Sequence, residues 1–161
     1  MGTPTYTPMA NITLSSSAAS VTFSSISQAY RDLVLVMSTK SSASVYVSMR
    51  FNADSGSTYT SVEMEGTGSA AGSGTVTTTY LSLGSGYTDT TQDGIVLANI
   101  MDYSATDKHK SVLGRSSKAG WGVLALAGRW ANTSAITSLQ VFPSSGTWTA
   151  GSTFALYGIV A

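Results

Sequence analysis

The chain has no cysteine and only one histidine, His109, in 161 residues. The first absence excludes disulfide staples, thiolate nucleophiles and cysteine metal sites. The second excludes the histidine clusters from which zinc sites are usually built. Charge is scarce too: charged residues are 10% of the sequence, where an ordinary soluble domain carries about 25%. Eight basic and eight acidic residues cancel. The basic ones are scattered singly, so there is no cationic stripe for a nucleic acid. No run approaches the roughly 18 apolar residues of a membrane-spanning helix. The opening "MGTPTYTPMANITL" has neither a basic n-region nor a continuous apolar h-region, so no secretory leader is expected.

Serine, threonine and glycine take the place of charge, while hydrophobic residues hold at 42%. That balance is not the composition of a disordered chain, which combines low hydrophobicity with high net charge. The length fits one domain. Period-two alternation recurs along it. "DLVLVMST" (32–39) and "GIVLANIMDY" (94–103) are apolar enough for central strands, and "SVYVSMRF" (44–51) alternates as a half-buried strand does. "NITLSS", "SVTFSS", "TSVEMEG", "TVTTTYLSLG", "KSVLGRSS", "GWGVLALAGRW", "AITSLQVF" and "STFALYGIVA" bring the total to about ten strands, with "TGSAAGSG" a flexible loop between two of them. The best helical candidate is a single turn at Gln28 to Arg31. The spacing predicts an all-β fold, an antiparallel two-sheet sandwich over residues 10–161. Pro4 and Pro8 fix φ and remove donors, so residues 1–9 read as an extended N-terminal arm.

Candidate chemistry is thin. "RFNADSGSTYT" (50–60) offers Asn52, Asp54 and Ser57 as oxygen ligands, but it carries one carboxylate and no closing bidentate glutamate, so an Asx turn with Gly56 at positive φ is expected instead of a calcium loop. His109 has Asp102 and Asp107 nearby in sequence, yet no G-x-S-x-G elbow supplies a nucleophile, and its "TDKHKS" setting reads as an exposed turn. Glu63 and Glu65 lie on one strand face about 6–7 Å apart. Glycosidase carboxylates normally face each other across a cleft, so this pair reads as solvent-facing. Asp89 and Asp93 look like turn residues. Trp121, Trp130 and Trp148 are candidates for stacking on a sugar, for core packing or for a subunit seam. Trp148, in the turn "SSGTWTAGS", is the one expected to meet a partner.

"ITLSSSAASVTFSSI", "YRDLVLV", "RFNADSGSTYTS", "GRWANTSAITSLQVF" and "STFALYGI" together resemble a family of small β-sandwich virion proteins of tailed bacteriophages, common in phages of aquatic bacteria including cyanophages. The resemblance covers nearly the whole chain after about Ala10 and transfers no catalytic motif. It implies a jelly-roll sandwich, commonly trimeric, on the outside of the particle. The chain offers no heptad stalk for a fibre. The expectation is therefore a non-enzymatic capsid decoration (cement) protein on the exterior of the virion, made in the host cytoplasm, without cofactor or metal. Its partners would be the major capsid protein and two further copies of itself, with no nucleic acid or membrane. Pro4, Tyr6 and Pro8 of the arm, and Trp148, are the expected contact residues. The alternative is a tail-fibre or baseplate-appendage module that holds host-surface glycan.

Overall fold

Strand follows strand because β-branched and aromatic residues alternate with serine and threonine, a pattern that suits a pleated surface with one face buried. The computed structural model describes residues 4–84 and 88–160, and these form twelve β-strands and no helix. They are β1 (Tyr6–Thr13), β2 (Val21–Phe23), β3 (Asp32–Thr39), β4 (Val47–Phe51), β5 (Tyr59–Gly66), β6 (Ala71–Thr78), β7 (Leu81–Ser82), β8 (Gly94–Met101), β9 (Lys110–Lys118), β10 (Gly122–Trp130), β11 (Leu139–Pro143) and β12 (Thr153–Ile159). All pairings are antiparallel. An eight-stranded sheet runs β1-β12-β3-β8-β9-β10-β5-β6, and a four-stranded sheet runs β2-β11-β4-β7. The two pack as a β-sandwich, as the alternation predicts.

Apart from the steps within β5–β6 and within β8–β9–β10, which stay in the larger sheet, successive strands alternate between the sheets. β1, β3, β8 and β12 lie in one sheet, and β2, β4, β7 and β11 in the other. Every such crossing carries the chain over the core. Leu33, Leu35 and Met37 of β3, Phe154 and Leu156 of β12, and Val96 and Ile100 of β8 meet Val47, Met49 and Phe51 of β4 and Leu139 and Val141 of β11. Each buried side chain of this size contributes about 1.5–3 kcal/mol before entropy is set against it.

Several local expectations change. Gln28 to Arg31 is not a helical turn: the Gln28 amide donates to the carbonyls of Ile26 and Ile136, and the Arg31 N–H pairs with Ile159. "TVTTTYLSLG" is two strands in different sheets, β6 and β7. The Arg50 guanidinium donates to the Thr79 carbonyl and hydroxyl at the break. Part of "TGSAAGSG" belongs to β6; the turn itself is only Thr67 to Ala70, closed by the Thr67 N–H on the Ala70 carbonyl with Gly68 at φ 85. Of the expected N-terminal arm, residues 1–3 lie outside the described residues, and Tyr6 to Met9 are not an arm but part of β1, hydrogen-bonded along β12 with a register shift between Pro8 and Ala10. Pro8 is tolerated because β1 is an edge strand, where a missing donor faces away from the sheet.

Gly158 shows how tightly the inner surface is filled. A Cβ placed there would overlap the Tyr30 ring, which lies flat against the bare backbone. Gly158→Ala is expected to destabilise the fold by about 1–3 kcal/mol through overpacking. A reduced urea midpoint at unchanged m-value is the measurement; an unchanged midpoint would show that the Tyr30 ring swings clear.

Candidate functional site

The stretch 50–60 folds around its own carboxylate. Asp54 Oδ1 accepts from the Gly56 N–H at 2.8 Å; Oδ2 accepts from the Thr58 hydroxyl at 2.9 Å and the Trp130 indole N–H at 2.7 Å. Positive φ falls on Asn52 and Ala53, at 52° and 55°, and not on Gly56. Asn52 is a clamp: its side-chain oxygen accepts from the N–H groups of Thr137 and Ser138, and its amide donates to the Ala135 carbonyl. That clamp explains why residues 135–138 are not part of β11. The Tyr59 hydroxyl accepts from the Phe51 N–H and donates to the Asp54 carbonyl, and burial pushes its pKa up to about 12. Phe51, Tyr59 and Trp130 pack together below, with Tyr59 and Trp130 stacked at 6.4 Å. The loop is thus a structural corner whose carboxylate oxygens are engaged by the protein.

The other candidates scatter. His109 is exposed in the β8–β9 connection. Beside it Lys110 is buried, and its ammonium donates to the carbonyls of Ala105 (2.6 Å), Lys108 (2.9 Å) and Thr133 (3.1 Å). All three of its protons are spent on backbone, which makes it a brace for two loops. Asp89 accepts from Lys118 at 2.6 Å and from the N–H groups of Thr91 and Gln92, and these donors hold its carboxyl far below the ordinary range. Glu63 and Glu65 share the inward-facing side of β5, near its uncovered end. Among the described residues no group of three His, Asp or Glu side chains is placed to hold a metal ion.

The expected partner contacts separate. Pro4, Tyr6 and Pro8 are exposed at the β1 edge, with Tyr6 at 56%. Trp148 is a correction: it is 0% exposed and lies in the core, edge-on to Phe154 at 5.8 Å. It cannot touch a partner or a sugar. Its backbone bridges both Ala18 and Ser41, which draws the turn inward. Trp130 is buried too. Trp121 stays accessible at the β9–β10 tip, beside the Lys118 ammonium.

What the sequence reading did not anticipate is the outer face of the larger sheet. Directly opposed residues in antiparallel strands point to the same side. The pairings put Leu124, Leu126 and Trp130 toward the core, and Met64, Val123, Ala125, Leu113, Ile95, Leu97, Val36 and Tyr157 away from it. Met64 is 66% and Val123 61% exposed. A concave bay of about 590 Å³ opens among Met64, Ile95, Leu97, Arg115, Val123 and Ala125. Tyr6 and Pro8 extend the same face to the β1 edge, opposite Ile159 and Tyr157. The smaller sheet contrasts with this: its outer side shows Thr22, Arg50, Gln140 and Phe142. The signal in the sequence was that "VLALAG" and "IVLANI" are apolar at consecutive positions, as in strands covered on both sides. Comparison with family models, curated proteins and solved structures gave no match for the chain.

Two outcomes follow for the interior. Trp148→Ala should cost about 3–5 kcal/mol of stability, as loss of a buried indole does; a folded variant of near-wild-type stability would contradict its core placement. The second concerns acid. The Trp130 indole N–H, foremost among its donors, lowers the Asp54 carboxyl below its ordinary value of 3.8, and Asp89 shifts the same way. Their stabilising effect is complete above the unfolded-state pKa and is lost as pH falls through the lower folded values. Urea midpoints should hold from about pH 7 to about pH 5 and drop below about pH 4, with a shallower drop in Asp54→Asn. An equally steep drop in that variant would remove Asp54 from the account.

Proposed function

We propose that this protein is a non-enzymatic structural subunit of a tailed-bacteriophage virion, a decoration protein that docks on the outer surface of the head as a homotrimer and stabilises it. One observation carries the reading: the outer face of the eight-stranded sheet shows apolar side chains on adjacent strands, and none of the described residues covers Met64, Ile95, Leu113 or Val123. At ordinary strand spacing and rise that whole face, its polar positions included, measures about 34 by 27 Å, or about 900 Å², close to the roughly 800 Å² each partner gives to a stable protein interface. With β5–β6 and β9–β10 set aside, the order β1-β12-β3-β8 against β2-β11-β4-β7 supports a jelly-roll reading of the sandwich, an architecture used by capsid proteins and also by lectins.

The mechanism is area and valency. A trimer presents three copies of each weak contact to the capsid lattice, and three weak contacts acting together exceed any one of them by orders of magnitude. The exposed Pro4, Tyr6 and Pro8 edge supplies one such contact to the major capsid protein. Zero net charge leaves little repulsion to oppose close packing. The appendage reading keeps a single support, the accessible Trp121 beside Lys118; with Trp130 and Trp148 buried, no aromatic platform remains on the described surface near it.

Quantification of the chain in purified particles, with imaging of its position, tests the proposal. Tens to hundreds of copies spread over the head are expected. A few copies at the tail, together with glycan capture by the free protein, would establish the appendage reading, and absence from particles would end both.

A further inference from the structure

β6, the outer strand of the β5–β6 hairpin, is the edge of the larger sheet opposite β1. β6 is exposed at every position up to Thr77 and makes substantial contact with no strand other than β5. β5 is paired with β10 along its length, but β6 is the edge strand and joins the sheet only through β5, and glycine within a strand weakens it further. β6 nevertheless carries Gly72 and Gly74, and a Cβ at Gly74 or at Gly66 of β5 would meet only open space. A regular eight-residue strand with both faces bare is a surface shaped for something outside the chain.

Charge indicates what that is. On the hairpin, Glu63 and Glu65 point to the core side of the sheet, beyond the cover of the smaller sheet. Arg115 and Arg129 point to the opposite, outer side, with Arg115 in the apolar bay. None of the four forms an ion pair among the described residues, and neither arginine makes a side-chain hydrogen bond there. The acidic and basic pairs therefore sit on opposite faces of one sheet.

We infer that the inner face of the β5–β6 hairpin of one copy lies on the outer sheet face of a second copy, with Glu63 and Glu65 against Arg115 and Arg129, so that subunits join head to tail. This rests on the self-assembly reading above but not on a place in a virion. The two symmetric alternatives are disfavoured by the same charges. Outer face on outer face puts arginines on both sides of the contact, and hairpin on hairpin puts glutamates on both sides; like charges brought together across an interface oppose it. Only the head-to-tail arrangement pairs opposite signs. Its glycines let the hairpin backbone approach closely, and Val76, on the same side as the glutamates, adds an apolar contact beside them. A head-to-tail contact closes into a ring when its rotation permits, which suits a trimer and excludes an isolated two-fold dimer.

Sedimentation of the full chain tests this, with circular dichroism and thermal melting to verify folding. The wild type should form one closed oligomer of more than two subunits. Glu63→Lys/Glu65→Lys and Arg115→Glu/Arg129→Glu should each weaken association about 100-fold, and the chain carrying all four changes should recover the wild-type mass, because its charges are again complementary. The neutral variants Glu65→Gln and Arg115→Gln serve if a double variant does not fold, with an expected loss of about tenfold. Double variants that assemble normally, or a folded four-fold variant that stays monomeric, would overturn the interface. A wild type that stays monomeric while still binding particles would overturn it too, assigning the hairpin to a capsid protein and leaving the decoration reading intact. Absence from particles with the charge swap working would have the opposite meaning.

Discussion

A β-strand sends alternate side chains to opposite faces, and the hydrogen-bonded register of neighbouring strands leaves it no freedom to choose otherwise. In the larger sheet this constraint is decisive. Once Leu124, Leu126 and Trp130 are committed to the core, Val123, Ala125 and Ala127 must face away from it, and the paired residues of β5, β9 and β8 follow. Sliding one strand by a residue to hide its outer set would expose its inner set. The apolar outer face is thus a direct consequence of sequences that are hydrophobic at both parities, held in a sheet whose second layer covers one side only.

The core that enforces this register is anchored at the corner after β4. Asp54 reaches from a turn to the indole of Trp130 at the end of β10, and the Tyr59 hydroxyl returns to the backbone of the same turn. The contact fixes β4 of the smaller sheet against β5 and β10 of the larger one, and so sets how far the smaller sheet extends beneath the added strands. Leu81 of β7 reaches Gly128 of β10, where a Cβ would collide with it. Beyond that point β5 continues paired to β10, and β6 to β5, without cover from the strands of the smaller sheet. The projecting hairpin and the bare outer face are therefore two results of one geometry: a sheet of eight strands over a layer of four.

Much of the architecture was legible in the sequence. β3, β8, β9, β10 and β12 coincide with apolar or alternating runs bounded by glycine, serine and aspartate, because within a strand the side-chain pattern is a local property. What escaped was set by distant contacts. Threonine and tyrosine at 79 and 80 continue the alternation of β6, yet the chain changes sheets there, held by Arg50 from another strand. Trp148 sits among serine, glycine and threonine and reads as exposed, but its backbone pairs with Ala18 and Ser41, far away in the chain. The loop 50–60 was legible as a turn because Asp54 bonds to residues two and four positions on; its bond to Trp130, and the positive φ at Asn52 and Ala53, were not.

The polar groups that the sequence singles out are engaged within the fold: Asp54 by three donors, Lys110 by three carbonyls, Asp89 by Lys118 and two backbone N–H groups. Among the described residues the exposed Glu65, Arg115 and Arg129 form no ion pair, nor does the half-buried Glu63, which accepts from the Ser61 hydroxyl, and all four stand at the margins of apolar surface. Charges in that position contribute little to the stability of a single subunit. In an interface they gain importance, since they select one docking arrangement from several that bury similar area. A chain so poor in charge has few such selectors available, which makes the placement of these four, two on each face of one sheet, the most informative feature of its surface.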